Sequence, residues 1–178
     1  IKLILKYMSP KQQLIFPTTN SGYGVGEKKQ IFTEESELNP ISTYGKQKVD
    51  AENLILSSKN GITLRLATVF GASPRMRLDL LVNDFTHKAY FDRSIVLFEP
   101  EFKRNYIHIQ DVSTAFLHCI KHYKKLNGNA YNLGLSNANL SKKELALAIK
   151  KEIKNLDIFE SKSGKDPDKR NYIISNDK

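Results

Sequence analysis

The sequence predicts an α/β fold built on a parallel sheet, because a strand, a helix and a second strand follow one another. The first strand is the apolar run Leu14-Ile15-Phe16, and it ends in a loop rich in hydroxyls and glycine, residues 17–24. Apolar residues then recur at near-helical spacing over residues 41–55, and residues 62–71 have strand composition. This is the order of a βαβ unit, in which ligands bind beyond the carboxyl ends of the strands.

The remaining elements follow from caps and periodicity. Residues 1–8 have the pattern of a helix that precedes the first strand. Asn39 is the predicted N-cap of the central helix, with Pro40 in its first turn. Residues 78–90 predict a further helix and residues 94–98 a short strand. Ser141 and Glu144 have the spacing of a capping box, which predicts a helix that begins there.

Tyr44 and Lys48 are the strongest candidates for chemistry. They lie four residues apart on the predicted central helix, so both side chains lie on one face. A cation beside a phenol favours the phenolate, which can take a proton from a substrate hydroxyl and return it. The chain has one other Tyr-x-x-x-Lys, Tyr7 to Lys11, but Pro10 would break its helical turn.

Four stretches together resemble the extended short-chain dehydrogenase/reductase family, in its nucleotide-sugar epimerase/dehydratase branch. They are residues 18–24, 44–48, 64–71 and 104–112. The resemblance implies the second half of a Rossmann-like, doubly wound parallel sheet with a smaller α/β substrate-binding lobe. It assigns residues 1–72 and 105–135 to the NAD-binding domain, and residues 73–104 and 136–178 to the nucleotide-sugar lobe.

The same resemblance implies roles for individual residues. Thr19 takes the catalytic Ser/Thr position, Tyr44 transfers the proton, and Lys48 holds the nicotinamide ribose. With Tyr44 and Lys48, Thr18 contacts the cofactor, NAD or NADP. The residues expected to bind the substrate are Asn20, Thr68, Asn83, Arg104 and Arg170. From the residues alone, Asn83 is equally well explained as an exposed polar residue of a helix. For Arg104, a contact with the substrate diphosphate is favoured over a surface ion pair, because a planar guanidinium binds phosphate oxygens bidentately.

The glycine-rich turn that holds the dinucleotide pyrophosphate in this family has no counterpart here. Gly22, Gly24 and Gly26 do not complete the G-x-G-x-x-G spacing, and charged residues follow them. We therefore expect the chain to correspond to the C-terminal part of a larger enzyme. By itself it should lack the adenosine and pyrophosphate subsites and be inactive.

The two residues after Thr19 limit which reactions are expected. Family members that eliminate water usually carry Asp-Glu there, and decarboxylases usually keep a glutamate, whereas this chain has Asn20-Ser21. The prediction is therefore an NAD(P)-dependent epimerase or keto-sugar reductase rather than a dehydratase or decarboxylase. A non-catalytic domain that binds nucleotide sugar or a partner protein is the alternative. The sequence does not identify the sugar or the base.

Composition limits the other partners. The net charge is +9, but the lysines are scattered and form no basic stripe interleaved with aromatic residues, which disfavours nucleic acid as a partner.

Cys119 is the only cysteine, which fits a reducing, cytoplasmic location. His118 and His122 lack a third ligand at useful spacing, so we expect no metal. There is no apolar run of membrane-spanning length. The family resemblance implies a homodimer and a nucleoside-diphosphate sugar as ligand.

Overall fold

A computed structural model describes residues 1–26, 30–161 and 170–178. Its helices are α1 (Lys2–Tyr7), α2 (Thr43–Ser57), α3 (Leu81–Phe91), α4 (Ile109–Lys121), α5 (Tyr123–Leu126) and α6 (Lys142–Glu152). Its strands are β1 (Ile15–Thr19), β2 (Ile31–Phe32), β3 (Ile62–Leu66), β4 (Thr68–Phe70), β5 (Ser94–Leu97), β6 (Lys103–His108), β7 (Ala130–Leu133), β8 (Asn139–Ser141), β9 (Asp157–Glu160) and β10 (Ile173–Ile174). Short 3-10 turns cover Asn20–Tyr23 and Ser136–Ala138.

A parallel sheet in the order β1-β3-β7 lies at the centre, as the βαβ pattern predicted. Thr19 ends β1 opposite Leu66 of β3. Successive residues of β3 face opposite sides of the sheet. On one side Ile62 and Leu64 pack with Cys119 and Tyr123 of α4 and α5. On the other side lies α2, the helix with Tyr44 and Lys48.

The run 62–71 was predicted as one strand, and this is wrong in one respect: the run divides at Ala67. β3 pairs with β1 and β7, whereas β4 pairs with β6 in a separate sheet of order β4-β6-β8. The Ala67 N–H donates to Leu133 O at 2.9 Å before the chain changes partner. Because the backbone changes its pairing partner at Ala67, β3 ends there and no strand continues the central sheet beyond its carboxyl end.

The predicted N-cap of α2 is also wrong. Ser42, not Asn39, caps the helix, and its Oγ accepts from the Gly45 N–H at 3.0 Å. The Asn39 carbonyl instead lies against Gly24, whose φ of +77° allows the two backbones to approach closely. The capping box of α6, Ser141 with Glu144, is confirmed.

A second apolar core joins α3, α6 and the strands near them. It contains the buried residues Val82, Phe85, Ala89, Ile95, Leu97, Tyr106, Leu145, Ala146 and Leu156. β10 pairs with β2. Arg170, which precedes β10, thereby returns to Ser21 in the 3-10 turn after β1. The division of the chain into a cofactor domain and a substrate lobe stays a prediction. In the described ranges, every helix is too short or too polar to cross a membrane.

Candidate active site

A cleft of about 440 Å³ lies at the carboxyl ends of the central strands. This main cleft is lined by Thr18, Thr19, Ser21, Tyr44, Leu66, Ala67, Thr68, Val69, Arg77, Leu80, Arg170 and Tyr172. Thr19 reaches it from β1, Tyr44 from the first turn of α2 and Thr68 from the start of β4. The structure thus brings together Thr19, Tyr44, Thr68 and Arg170, which the sequence predicted as site residues.

Lys48 is held beside Tyr44. Its Nζ donates to Pro17 O at 2.8 Å, and it lies 4.7 Å from the ring centroid of Phe16 and 5.8 Å from that of Tyr44. Burial lowers the pKa of Lys48 from its ordinary value. The Tyr44 ring is more than half exposed, and among the described residues its hydroxyl makes no hydrogen bond to Thr19 or Lys48. A fixed cation therefore stands next to an accessible phenol.

The Thr19 hydroxyl belongs to a short polar chain. Its Oγ1 accepts from the Ser21 N–H at 3.1 Å and lies 3.0 Å from Ser21 Oγ. Arg170 Nη1 in turn donates to Ser21 Oγ. Sequence reasoning did not single out Ser21 as a site residue, although the hydroxyl-rich composition of residues 17–24 was a signal for it. Thr19 is thus oriented through Ser21 by a cation of the C-terminal segment.

A side cleft of about 200 Å³ adjoins the main cleft and shares Thr68, Leu80 and Arg170 with it. Its other lining residues are Asp79, Leu81, Asp84, Arg104 and Lys142. Arg104 is buried, donates from Nη1 to Lys103 O at 2.9 Å and stacks 5.7 Å from the Tyr172 ring centroid. Lys142 is buried too, and its Nζ donates to Phe98 O. Lys142 was not predicted, because it reads as the polar start of a helix.

Two of the other predicted residues, Thr18 and Asn83, make internal hydrogen bonds, and a third, Asn20, is buried without one. Thr18 lines the main cleft, but its Oγ1 donates to Glu52 Oε2 at 2.8 Å. Asn20 is buried away from the cleft walls, and within the described residues neither polar atom of its side chain has a partner. Asn83 accepts from the Gly71 N–H at 3.3 Å and donates to Arg77 O at 3.0 Å. Contacts of these three side chains with cofactor or substrate stay predictions.

The histidine pair on α4 forms no larger cluster. The rings of His118 and His122 are 4.4 Å apart between centroids. In the part of the chain that the structure describes, no group of three or more His, Cys, Asp or Glu residues is arranged to hold a metal.

A parallel sheet with α2 packed against it, and a cleft at the carboxyl ends of its strands, place this protein in the class of Rossmann-like folds. Comparison with known families agrees. The NAD dependent epimerase/dehydratase family model matches residues 2–134. The chain belongs to this family, whose members depend on NAD.

Individual relatives agree in sequence and in fold. A UDP-glucose 4-epimerase of Lactobacillus helveticus is 27% identical over 87% of this chain and 53% of its own length. A Bacillus anthracis dTDP-glucose 4,6-dehydratase in complex with NAD superposes with a TM-score of 0.79, at 24% identity over 98% of this chain and 56% of the other. A Thermus thermophilus UDP-glucose 4-epimerase in complex with NAD gives a TM-score of 0.77, at 19% identity over 98% of this chain and 58% of the other. The chain thus spans about half the length of these relatives.

Proposed function

We propose that the whole protein is an NAD-dependent nucleotide-sugar epimerase, or a keto-sugar reductase that uses the same residues. One observation carries this proposal: the hydroxyls of Thr19 and Tyr44 share one cleft, with the Lys48 ammonium 5.8 Å from the Tyr44 ring centroid. Family membership and the similarity to a UDP-glucose 4-epimerase support it.

The donor set of the main cleft fits the nicotinamide riboside end of NAD or NADP. Lys48 and Tyr44 would hold the ribose hydroxyls, with Thr18 on the adjoining wall of a cleft of about 440 Å³. When bound, the cofactor supplies the hydride acceptor for the sugar carbon. The hydroxyls of Thr18, Thr19, Ser21 and Tyr44 suit a polyhydroxyl partner on this side, and the guanidinium groups of Arg77 and Arg170 line the same cleft.

The proton steps fall to residues of this chain. The Tyr44 oxygen takes the proton of a sugar hydroxyl as the carbonyl forms, and returns it when the hydroxyl is restored. Lys48 stabilises the negative charge on the phenol oxygen during this transfer. The Thr19 hydroxyl, which donates to Ser21 Oγ, would exchange this bond for one to the same sugar oxygen and hold that oxygen within reach of Tyr44.

The absence of acids favours an epimerase or reductase over a dehydratase. Among the described residues that line the main cleft there is no Asp or Glu. Elimination of water needs a general acid and a base close to the sugar, and Asn20 and Ser21 stand where an acid pair would be required. Without them the keto-sugar is reduced again on one face or the other.

The side cleft supports a diphosphate site. Arg104, Lys142 and Arg170 line it together, and Arg170 also lines the main cleft. The side cleft also contains two carboxylates, Asp79 and Asp84, which are paired with Arg77 and Lys88. A guanidinium binds phosphate oxygens through two parallel hydrogen bonds. A nucleoside-diphosphate sugar with its sugar beside Tyr44 would therefore extend its diphosphate past Arg170 towards Arg104.

The test compares two tyrosines of similar exposure in the full-length protein. Tyr44 is 56% exposed in the main cleft and Tyr90 is 60% exposed outside it. With a panel of nucleotide sugars, Tyr44→Phe should lower kcat by about 10²–10⁴-fold, whereas Tyr90→Phe should not change it. Wild-type turnover by Tyr44→Phe would refute the assignment. Tight binding of a nucleotide sugar without turnover by the wild type would instead identify a binding protein.

Two further properties of the whole protein are proposed on the same basis. The family resemblance supports a homodimer, and the single cysteine, Cys119, which is buried and free, supports a reducing, cytoplasmic location.

A further inference from the structure

A buried ion pair lies directly behind the main cleft. Glu52 of α2 and Arg65 of β3 are only 1% and 5% exposed. Arg65 donates to Glu52 Oε1 from Nε at 2.9 Å and from Nη2 at 2.7 Å, and Thr18 Oγ1 donates to Oε2 at 2.8 Å. Neither Glu52 nor Arg65 lines the main cleft, so neither side chain can touch a substrate there.

Stability alone does not account for such a pair. Removing two charges from water is costly, and apolar residues of similar volume often replace a buried ion pair with no loss of stability or with a gain. A sheet and a helix could therefore pack here without Glu52 and Arg65. Apolar side chains could not make the directional hydrogen bonds that link α2 to β3 through Arg65 and to β1 through Thr18.

The pair anchors the catalytic helix to the catalytic strand. Glu52 follows Lys48 by four residues, so the two side chains leave the same face of α2 on successive turns. Lys48 bonds Pro17 O, and Glu52 bonds the Thr18 hydroxyl. Two consecutive residues of β1, immediately before Thr19, thus fix two consecutive turns of the helix that carries the proton-transfer tyrosine.

Arg65 extends the connection to the other side of Thr19. Its Nη1 donates to the Tyr23 hydroxyl at 2.8 Å and to Glu34 O at 3.1 Å. Tyr23 closes the 3-10 turn that follows Thr19, and its own hydroxyl donates to Asn132 Oδ1 at 2.6 Å. Burial raises the pKa of Tyr23, which keeps this phenol protonated and able to donate.

We propose that Glu52 and Arg65 are positioning residues that set the distance between the Thr19 and Tyr44 hydroxyls, an inference that rests on the proposed function. A helix can move along a sheet by a fraction of a residue without unfolding. A misplacement of about 1 Å at reacting groups can cost about 100-fold in rate. The pair resists this movement because Glu52 accepts two hydrogen bonds from Arg65 of β3 and one from Thr18 of β1; the Lys48 bond to Pro17 O adds a further connection between α2 and β1.

The test separates positioning from stability with two variants of the full-length protein. The double variant Glu52→Leu/Arg65→Met removes both charges and every hydrogen bond that Glu52 and Arg65 make, and it leaves the Lys48 bond to Pro17 O as the remaining connection. It should melt at or above the wild-type temperature, keep KM within about 3-fold and lose about 10- to 100-fold in kcat. Glu52→Gln keeps the length of the side chain and an acceptor for Arg65. It should melt lower, because the Arg65 charge loses its counter-ion, yet keep kcat within about 3-fold.

If the pair has a purely structural role, kcat should follow thermal stability: it should be unchanged in the double variant and lowered in Glu52→Gln. Wild-type kcat in a folded double variant would overturn the inference, as would a large loss of kcat in a folded Glu52→Gln. If one of these two variants does not fold, the kcat of the other still tests the inference. The control Lys143→Gln/Glu160→Gln removes an exposed ion pair of 2.7 Å and should leave all values unchanged.

A second readout does not depend on turnover. Lys48 should be methylated faster in the double variant than in the wild type, because α2 no longer holds its amine against Pro17 O. Unchanged labelling of Lys48, read by mass spectrometry, would count against positioning. If the wild type turns over no nucleotide sugar, the proposed function fails, while the labelling result still supports or overturns the role of the ion pair.

Discussion

Gly24 offers a sharp test of how the main cleft is assembled. It ends the 3-10 turn after Thr19 with φ +77° and ψ −123°, a conformation that L side chains rarely adopt. A Cβ at this position would overlap the carbonyl of Asn39, in the segment that leads into α2. Gly24→Ala should therefore strain the backbone and also push the start of α2, with Tyr44, away from the Thr19 loop.

Gly128 is the matched control, because its φ is +78° and a Cβ there would meet no atom within 4 Å. Gly128→Ala should show the cost of a side chain at positive φ without a steric overlap, about 1–2 kcal/mol in the free energy of unfolding. Gly24→Ala should add an overpacking cost of about 1–3 kcal/mol, which gives a total of about 2–5 kcal/mol.

The assay is urea unfolding of the full-length protein, followed by kcat measured on the folded fraction. Only Gly24→Ala should lower kcat, since Gly128 lies between α5 and β7 and does not line the main cleft. Equal losses of stability in the two variants, with kcat unchanged in both, would show that the contact between Gly24 and Asn39 does not hold α2 in place.

Two further predictions concern charged groups. Arg104→Ala should raise the Kd for a nucleoside-diphosphate sugar by roughly 10- to 100-fold, the loss of about 1.5–3 kcal/mol from charged hydrogen bonds, and leave nucleoside binding unchanged. Equal weakening of both ligands in calorimetry would make Arg104 structural. The Ser141 N–H, which donates to Oε2 at 2.7 Å, lowers the pKa of the Glu144 carboxyl. Glu144→Gln should therefore cost under about 1 kcal/mol above pH ~4.3, a difference that is lost as the pH falls through the lowered pKa of the folded state; a difference in urea unfolding that stays constant across the whole acid range would contradict this.

The sequence was sufficient for the parallel sheet and for the placement of Thr19 and Tyr44 in one cleft, because both depend on local patterns. The apolar run at Ile15, the helical spacing around Tyr44 and the hydroxyl at Thr19 are read within a few residues. The N-cap of α2 was misassigned because two candidates, Asn39 and Ser42, precede the helix and only tertiary packing against Gly24 decides between them.

Other features depend on contacts that periodicity does not record. Glu52 and Arg65 are charged, so a pattern analysis counts them as exposed, although each is buried by the other. The division at Ala67 reflects a change of pairing partner, from β7 to β6, within a run that looks uniform. Lys142 looked like a surface residue, and only the fold brings it to the side cleft.

The bond between Arg170 and Ser21 has a consequence for the order in which the molecule is made. The two residues are 149 positions apart. At a synthesis rate of about 5–20 residues per second, Ser21 leaves the ribosome roughly 7–30 s before Arg170 does. During that interval β1 and α2 can pair and pack, but the wall supplied by Arg170 and Tyr172 does not yet exist. Thr19 and Tyr44 can thus reach their places before this wall is made, and the main cleft is complete only once Arg170 and Tyr172 have been added.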